Sequence, residues 1–196
     1  MRSLEPKLES LKTDLLERSV DVAFLQEIWE KEGNPDFESK VERMMEINGM
    51  LYFSSPRPLD SRGYAYGGTA IIVNSQHFEA TKLPITPPSG IEVSWCLAKP
   101  KTYPQKFKNL ILCSFYCPPI KRKNSKLSDH LTSTLHMLYT KYPDSGILLG
   151  GDCNKMDLSP ILNCGLKLRQ VVDKNTRGNS IIDVLIMNIA SYYNSL

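Results

Sequence analysis

Six short apolar runs constrain this chain more than any other feature: residues 20–25, 69–73 (TAIIV), 91–98 (IEVSWCLA), 110–116 (LILCSFY), 146–149 (GILL) and 181–187 (IIDVLIM). Each has the length and content of a buried strand, and turn-rich pieces (SSPRPLDSRGYAYGG, PITPPSG, CPPIKRKNS, DKNTRGNS) separate them. Three stretches read as helices. Leu4, Leu8, Leu11 and Leu15 recur at helical spacing within 3–18, residues 38–48 look helical, and Leu127, Leu131, Leu135, Leu138 and Tyr142 place a helix over 126–142. Strands and helices interleave without a strict βαβ rhythm. The expected architecture is therefore an α/β sandwich of two sheets rather than a singly wound parallel sheet.

The 196 residues, 41% of them hydrophobic, suit one globular domain. No apolar run approaches the ~20 residues of a membrane span, and the charged, amphipathic N-terminus lacks the apolar centre of an export signal. Five cysteines (Cys96, Cys113, Cys117, Cys153, Cys164) are an odd number, mostly set in apolar runs, and read as reduced core residues of an intracellular protein. A zinc site needs paired ligands at short spacing, and Cys113 and Cys117 have no second pair. Net charge is only +3, but it is unevenly spread. Residues 1–50 hold twelve acidic and seven basic groups, whereas 99–126 hold eight Lys or Arg and no acid. That basic segment is either a phosphate-facing surface or a solvated loop.

Three apolar runs end in polar residues, where an α/β protein gathers functional side chains on rigid supports. FLQEIW leaves Glu27, LILCSFYCPP leaves Tyr116, and GILLGGDCN leaves Asp152 and Asn154. An extended backbone would point Asp152 and Asn154 the same way, so that Asp accepts a proton from a water and Asn orients it. The preceding Gly150-Gly151 permits close backbone approach or unusual dihedrals. The plainer reading of GGDCN is a turn. Glu27 is either a surface acid or an oxygen ligand for Mg²⁺, and Tyr116 either a core tyrosine or a donor to a phosphate oxygen. Asp183 lies inside an otherwise apolar strand, a costly position unless it is paired or faces a polar site. Ser128-Asp129-His130 looks like an acid–histidine dyad but falls in the amphipathic helix and reads as helix surface. His77 and His136 have no assignable carboxylate partner.

Taken in order, LQEIW (25–29), RGYAYGGTAIIV (62–73), SFYCPP (114–119), GGDCN (150–154) and TRGNSIIDVLIMN (176–188) resemble the endonuclease/exonuclease/phosphatase superfamily. The RSL-x-PKL start, and TRGN followed by Ile182-Asp183, look most like the endonucleases of non-LTR retrotransposable elements. The resemblance implies a four-layered, DNase I-like sandwich spanning residues 1–196 as a single domain. It implies metal-assisted phosphodiester hydrolysis with Mg²⁺ or Mn²⁺, DNA as substrate, no membrane partner, and an intracellular, nuclear location. Carried across, Glu27 resembles the metal-binding glutamate, Asp152 the aspartate that activates water, Asn154 its companion, Tyr116 the tyrosine near the scissile phosphate, and Asp183 the late supporting aspartate. Two family features are not in this sequence: a first strand with a site asparagine, expected just before Met1, and a last strand with an Asp–His pair, expected beyond Asp183. On this reading the fold is incomplete at both termini and activity is impaired. A phosphatase or phospholipase of the same fold, and an inactive remnant that at most binds nucleic acid, are the alternatives.

Overall fold

The apolar runs become strands of two stacked sheets, and helices cover the outer face of each. The computed structural model describes residues 4–30, 35–58, 61, 66–102, 107–119 and 121–189. Residues 2–3 of the RSL start and 62–65 of the RGYAYGG piece lie outside the described residues, as do 103–106 and 120 of the basic segment. A 3-10 turn, Glu5–Lys7, leads into α1 (Leu8–Glu17), β1 (Val22–Gln26), α2 (Pro35–Ile47), β2 (Met50–Ser55) and β3 (Thr69–Asn74). There follow β4 (Phe78–Lys82), β5 (Glu92–Pro100), β6 (Leu110–Tyr116), α3 (Lys121–Lys141), β7 (Gly146–Asp152), α4 (Ser159–Leu162), β8 (Arg169–Gln170) and β9 (Asp183–Met187). The first sheet is antiparallel with order β1-β3-β2. The second has order β4-β5-β6-β7-β9-β8 and is antiparallel except for the parallel β6–β7 pair. A parallel pair requires a long crossover, and α3 supplies it.

Three apolar clusters fix the layers. Leu8 and Leu15 of α1 and Val41 and Met45 of α2 pack on Tyr52, Ala70 and Ile72. Ile71 and Val73 meet Cys96, Leu112 and Met187 between the sheets, with Phe24 and Leu148 alongside. Leu127, Leu131, Leu135 and Leu138 of α3 cover Trp95, Cys113, Phe115, Leu149 and Ile186. The order helix–sheet–sheet–helix is the expected four-layered sandwich.

Residues paired in register share a face of a sheet, so the inner face of the larger sheet can be followed row by row. Cys96, Leu112, Leu148 and Met187 form an apolar row. Ser94, Ser114, Gly150 and Leu185 form the next, and Glu92, Tyr116, Asp152 and Asp183 the last. The gap between the sheets thus passes from apolar to ionisable within the length of one strand.

Three strands escape the sequence reading. In β2, burial alternates through Met50, Tyr52 and Ser54, but the strand sits immediately after a helical pattern that masks the change of period. β4 is a polar edge strand, and β8 has only two residues. The Ser128-Asp129-His130 reading is corrected: Asp129 is exposed, but Ser128 is buried and the half-buried His130 ring packs edge-on to Trp95 at 6.4 Å. The helix packs on a broader face than its leucine stripe implies. His77 finds a carboxylate the sequence could not assign, Asp21, 56 positions away at 2.6 Å. All five cysteines are free, four of them buried. Among the described residues, no helix is long and apolar enough to cross a membrane.

Candidate active site

The Tyr116 hydroxyl donates to Glu27 Oε1 at 3.1 Å, joining the polar end of β6 to the end of β1 in the other sheet. Glu27 follows the last residue of β1 with φ of 54°, and Trp29 repeats this left-handed conformation at 53°, which non-glycine residues rarely adopt. Between them the chain runs on beside Gly68 and Gly67, the residues that lead into β3. Ile28 and Trp29 donate their N–H groups to the carbonyls of Gly68 and Gly67, at 3.4 and 2.8 Å. Glycine is needed at position 67 on two counts, a φ of 126° and a Cβ that would stand 2.3 Å from Glu92 Oε2.

Glu92 completes this corner, and the sequence reading passed over it. Its buried carboxylate accepts from the Gly68 N–H at 2.7 Å, and its other oxygen lies 3.4 Å from Arg57 Nη1. Arg57 also donates to the Tyr66 carbonyl at 2.8 Å. The signal was available, because Glu92 is an acid at the head of an otherwise apolar strand, as Asp183 is.

Asp152 ends β7 in register with Tyr116 on one side and Asp183 on the other. Its carbonyl accepts from the Cys117 N–H at 2.9 Å, and its Oδ1 from the Asn154 N–H at 2.9 Å. Burial raises the Asp152 carboxyl above its ordinary value of 3.8, and the negative charges of Asp183 and Glu27 add to the effect. The Asn154 amide and Arg177 pull it back. The Tyr116 phenol is also raised, first by burial and then by Glu27, Asp152 and Glu92. At neutral pH it stays a hydrogen-bond donor.

Two expectations change in detail. β7 stops at Asp152, and Asn154 has φ of 45°, so no extended backbone aligns the two side chains. The Asn154 carboxamide instead donates to the Cys117 carbonyl at 2.8 Å, tying the end of β7 to that of β6. Asp183 is not buried within a strand. Pairing begins at Asp183 itself, its side chain is exposed, and its N–H and that of Ile182 both donate to Thr176 Oγ1 at 3.0 Å. A carboxylate at the exposed head of a strand has no burial cost to offset. With these corrections, the structure gathers Glu27, Tyr116, Asp152 and Asp183 at one edge of the sandwich, with Asn154 bracing the strand ends beside them.

Neither protein-family models nor curated proteins give a match to this chain. Solved structures do. The catalytic domain of human Nocturnin superposes with a TM-score of 0.67 at 12% identity, over 94% of this chain and 74% of that one. This is the DNase I-like fold. It is shared by the 3′ phosphatase NExo from Neisseria, solved with a product DNA hairpin (TM-score 0.64, 15% identity, 96% and 84% covered). It is shared also by the endonuclease domain of TRAS1, a telomere-specific non-LTR retrotransposon (TM-score 0.56, 17% identity, 90% and 76% covered). The likeness is one of fold.

The DNase I-like sandwich divides the basic segment in two. Lys101 and Lys108 lie at the far edge, where Lys101 donates its N–H to the His77 carbonyl. Lys126 belongs to the first turns of α3, shortly beyond Tyr116 and on the side of the polar row. The glycines before Asp152 serve close approach, since a Cβ on Gly150 would stand 2.3 Å from the Phe24 ring and one on Gly151 2.3 Å from the Phe115 carbonyl oxygen.

Proposed function

We propose that this DNase I-like chain hydrolyses phosphodiesters with the help of a divalent cation and takes DNA as its substrate, nicking a strand as retrotransposon endonucleases do. The observation that carries the reading is the ionisable row Glu92, Tyr116, Asp152 and Asp183, closed by Glu27 from the opposite sheet. The site edge of the basic segment and the fold shared with two nucleic-acid enzymes support DNA over a lipid. The TRGN–Ile182–Asp183 stretch supports the retrotransposon type.

Asp152 is the base. Its raised carboxyl brings it closer to the operating pH, where a group is both ionised and able to accept a proton from water. Tyr116, held protonated, offers a hydroxyl for a phosphate oxygen, and Asn154 keeps the β6 and β7 ends together. Glu27, with Asp152 and Asp183 nearby, provides the hard oxygens that Mg²⁺ or Mn²⁺ takes. Among the described residues no three ligands already converge, and Mg²⁺ needs only one or two carboxylates with water and phosphate oxygens. When bound, such an ion neutralises charge on the phosphate. The negative charges of Asp183 and Glu27 raise the proton affinity of Asp152, a repulsion that a cation relieves.

The test is nicking of supercoiled plasmid in Mg²⁺. Open circles should accumulate, EDTA should stop them, and Asp152→Ala should cut the rate by about 10²-fold or more. Equal rates for wild type and Asp152→Ala would sink the assignment. Release of phosphate from a phosphomonoester with the plasmid left intact would make the chain a phosphatase instead.

A further inference from the structure

We propose that Trp29 and Tyr66 form a platform for an unpaired nucleobase beside the cleavage site, so that the preferred substrate is a DNA strand with unpaired bases next to the scissile phosphate. This deepens the nuclease reading and rests on it.

The two rings meet edge to face, with centroids 4.8 Å apart and planes at 74°, a favourable geometry for an aromatic pair. Tyr66 is 43% exposed and Trp29 is half-buried. The other large exposed apolar residues described, Leu16, Ile47, Met137 and Val171, are aliphatic. Among these exposed residues Tyr66 alone is aromatic, and its ring pairs with that of Trp29, two residues beyond Glu27.

The platform is held from several directions. Trp29 is fixed by its left-handed backbone and its N–H bond to the Gly67 carbonyl. The Tyr66 carbonyl is held by Arg57, and the next two residues by the Glu92 carboxylate, which bonds the Gly68 N–H and fills the space above Gly67. A pre-ordered aromatic surface loses little conformational freedom when a base stacks on it. Every base has a π-face, so the contact selects strand state rather than sequence. Inside a duplex those faces are covered by neighbouring base pairs, and only a base outside the stack can reach the platform. Because Trp29 and Glu27 share one pinned turn, a stacked base also sets the register of its phosphate against Glu27.

The chain has two tryptophans, and the other, Trp95, is only 2% exposed beneath α3. Quenching of tryptophan emission therefore reports on Trp29. In EDTA, a short single-stranded oligodeoxynucleotide should quench emission and bind more tightly than the blunt duplex of the same sequence. Trp29→Phe should abolish the quench and leave the Trp95 emission as a check on folding. Tyr66→Ala should weaken single-strand binding about tenfold and leave duplex binding unchanged. The proposal is overturned if a saturating oligonucleotide, followed by anisotropy, causes no quench, if duplex and single strand quench alike, or if Tyr66→Ala binds the single strand as wild type does. Asp152→Ala separates the two readings: it should quench normally while failing to nick. A protein whose nicking ignores Asp152 but whose emission is still quenched would overturn the nuclease assignment, and with it the cleavage-site role given to the platform.

Discussion

Asp152 is held at a cost to the fold. A carboxyl whose folded pKa is raised adds stability below its unfolded value, 3.8 here, and that stability is lost as pH rises through the folded pKa. At neutral pH the ionised group is therefore a burden. Asp152→Asn should melt higher than wild type near pH 7, and the gap should close in acid; for a chain of this size each kcal/mol moves Tm by roughly 2–4 °C. His130 has the opposite dependence. Burial lowers its pKa below 6.5, so the stability linked to it is complete above that value and is lost as pH falls, because the unfolded chain protonates first. Differential scanning fluorimetry from about pH 7 to about pH 5 should show wild type losing more Tm than His130→Leu. The ring packs against the uncharged Trp95, and among the described residues its Nε2 has no hydrogen-bond partner. At this scale the sequence showed which residues were unusual but not their surroundings. Asp183 was conspicuous yet proved exposed, whereas His130 was dismissed and proved to be packed.

Among the elements, strands were more legible than their pairing. The apolar run of β6 marks a strand buried on both faces, but such a run hides which residues point toward the other sheet. The row Glu92–Tyr116–Asp152–Asp183 could not be drawn without the register. Glu92, lacking a motif of its own, was missed for that reason. The basic segment illustrates the same limit, since its charges are continuous in sequence while β6 stands between Lys101 and Lys108 at one edge and Lys126 at the other. That division has a measurable consequence. Lys126→Ala should lower the salt dependence of DNA binding by about one unit of slope, whereas Lys101→Ala and Lys108→Ala should leave it unchanged. Binding isotherms over a salt series distinguish the two edges, and an equal effect from both would mean that DNA wraps the sandwich rather than meeting its polar rim.

Across the whole molecule, four layers enclose three apolar clusters, and the cysteines lie within and beside them. Burial raises Cys96 to about 12 and Cys117 and Cys153 to about 11, and holds Cys113 well above its ordinary value. Thiols in that state are protonated and unreactive at neutral pH. A thiol reagent should therefore modify Cys164 alone in the native protein and all five cysteines in denaturant. Early modification of the others would show that the layers open readily. The layer architecture was legible from the interleaving of strand and helix patterns. The inner arrangement was not, because a face that changes from Leu112 to Ser114 to Tyr116 along one strand shows its meaning only when four strands stand side by side.

That row also determines which changes of chain length the protein can absorb. Its four groups are aligned by backbone pairing, not by the loops that join them. Lengthening the 83–91 connection between β4 and β5 leaves every partner in place. One residue inserted within β6 is different in kind: side chains alternate faces, so it would turn Tyr116 away from Glu27 toward α3 while its neighbours stayed put. Heritable variation in length is therefore confined to the connections, and the spacing along each of these strands behaves as a reading frame.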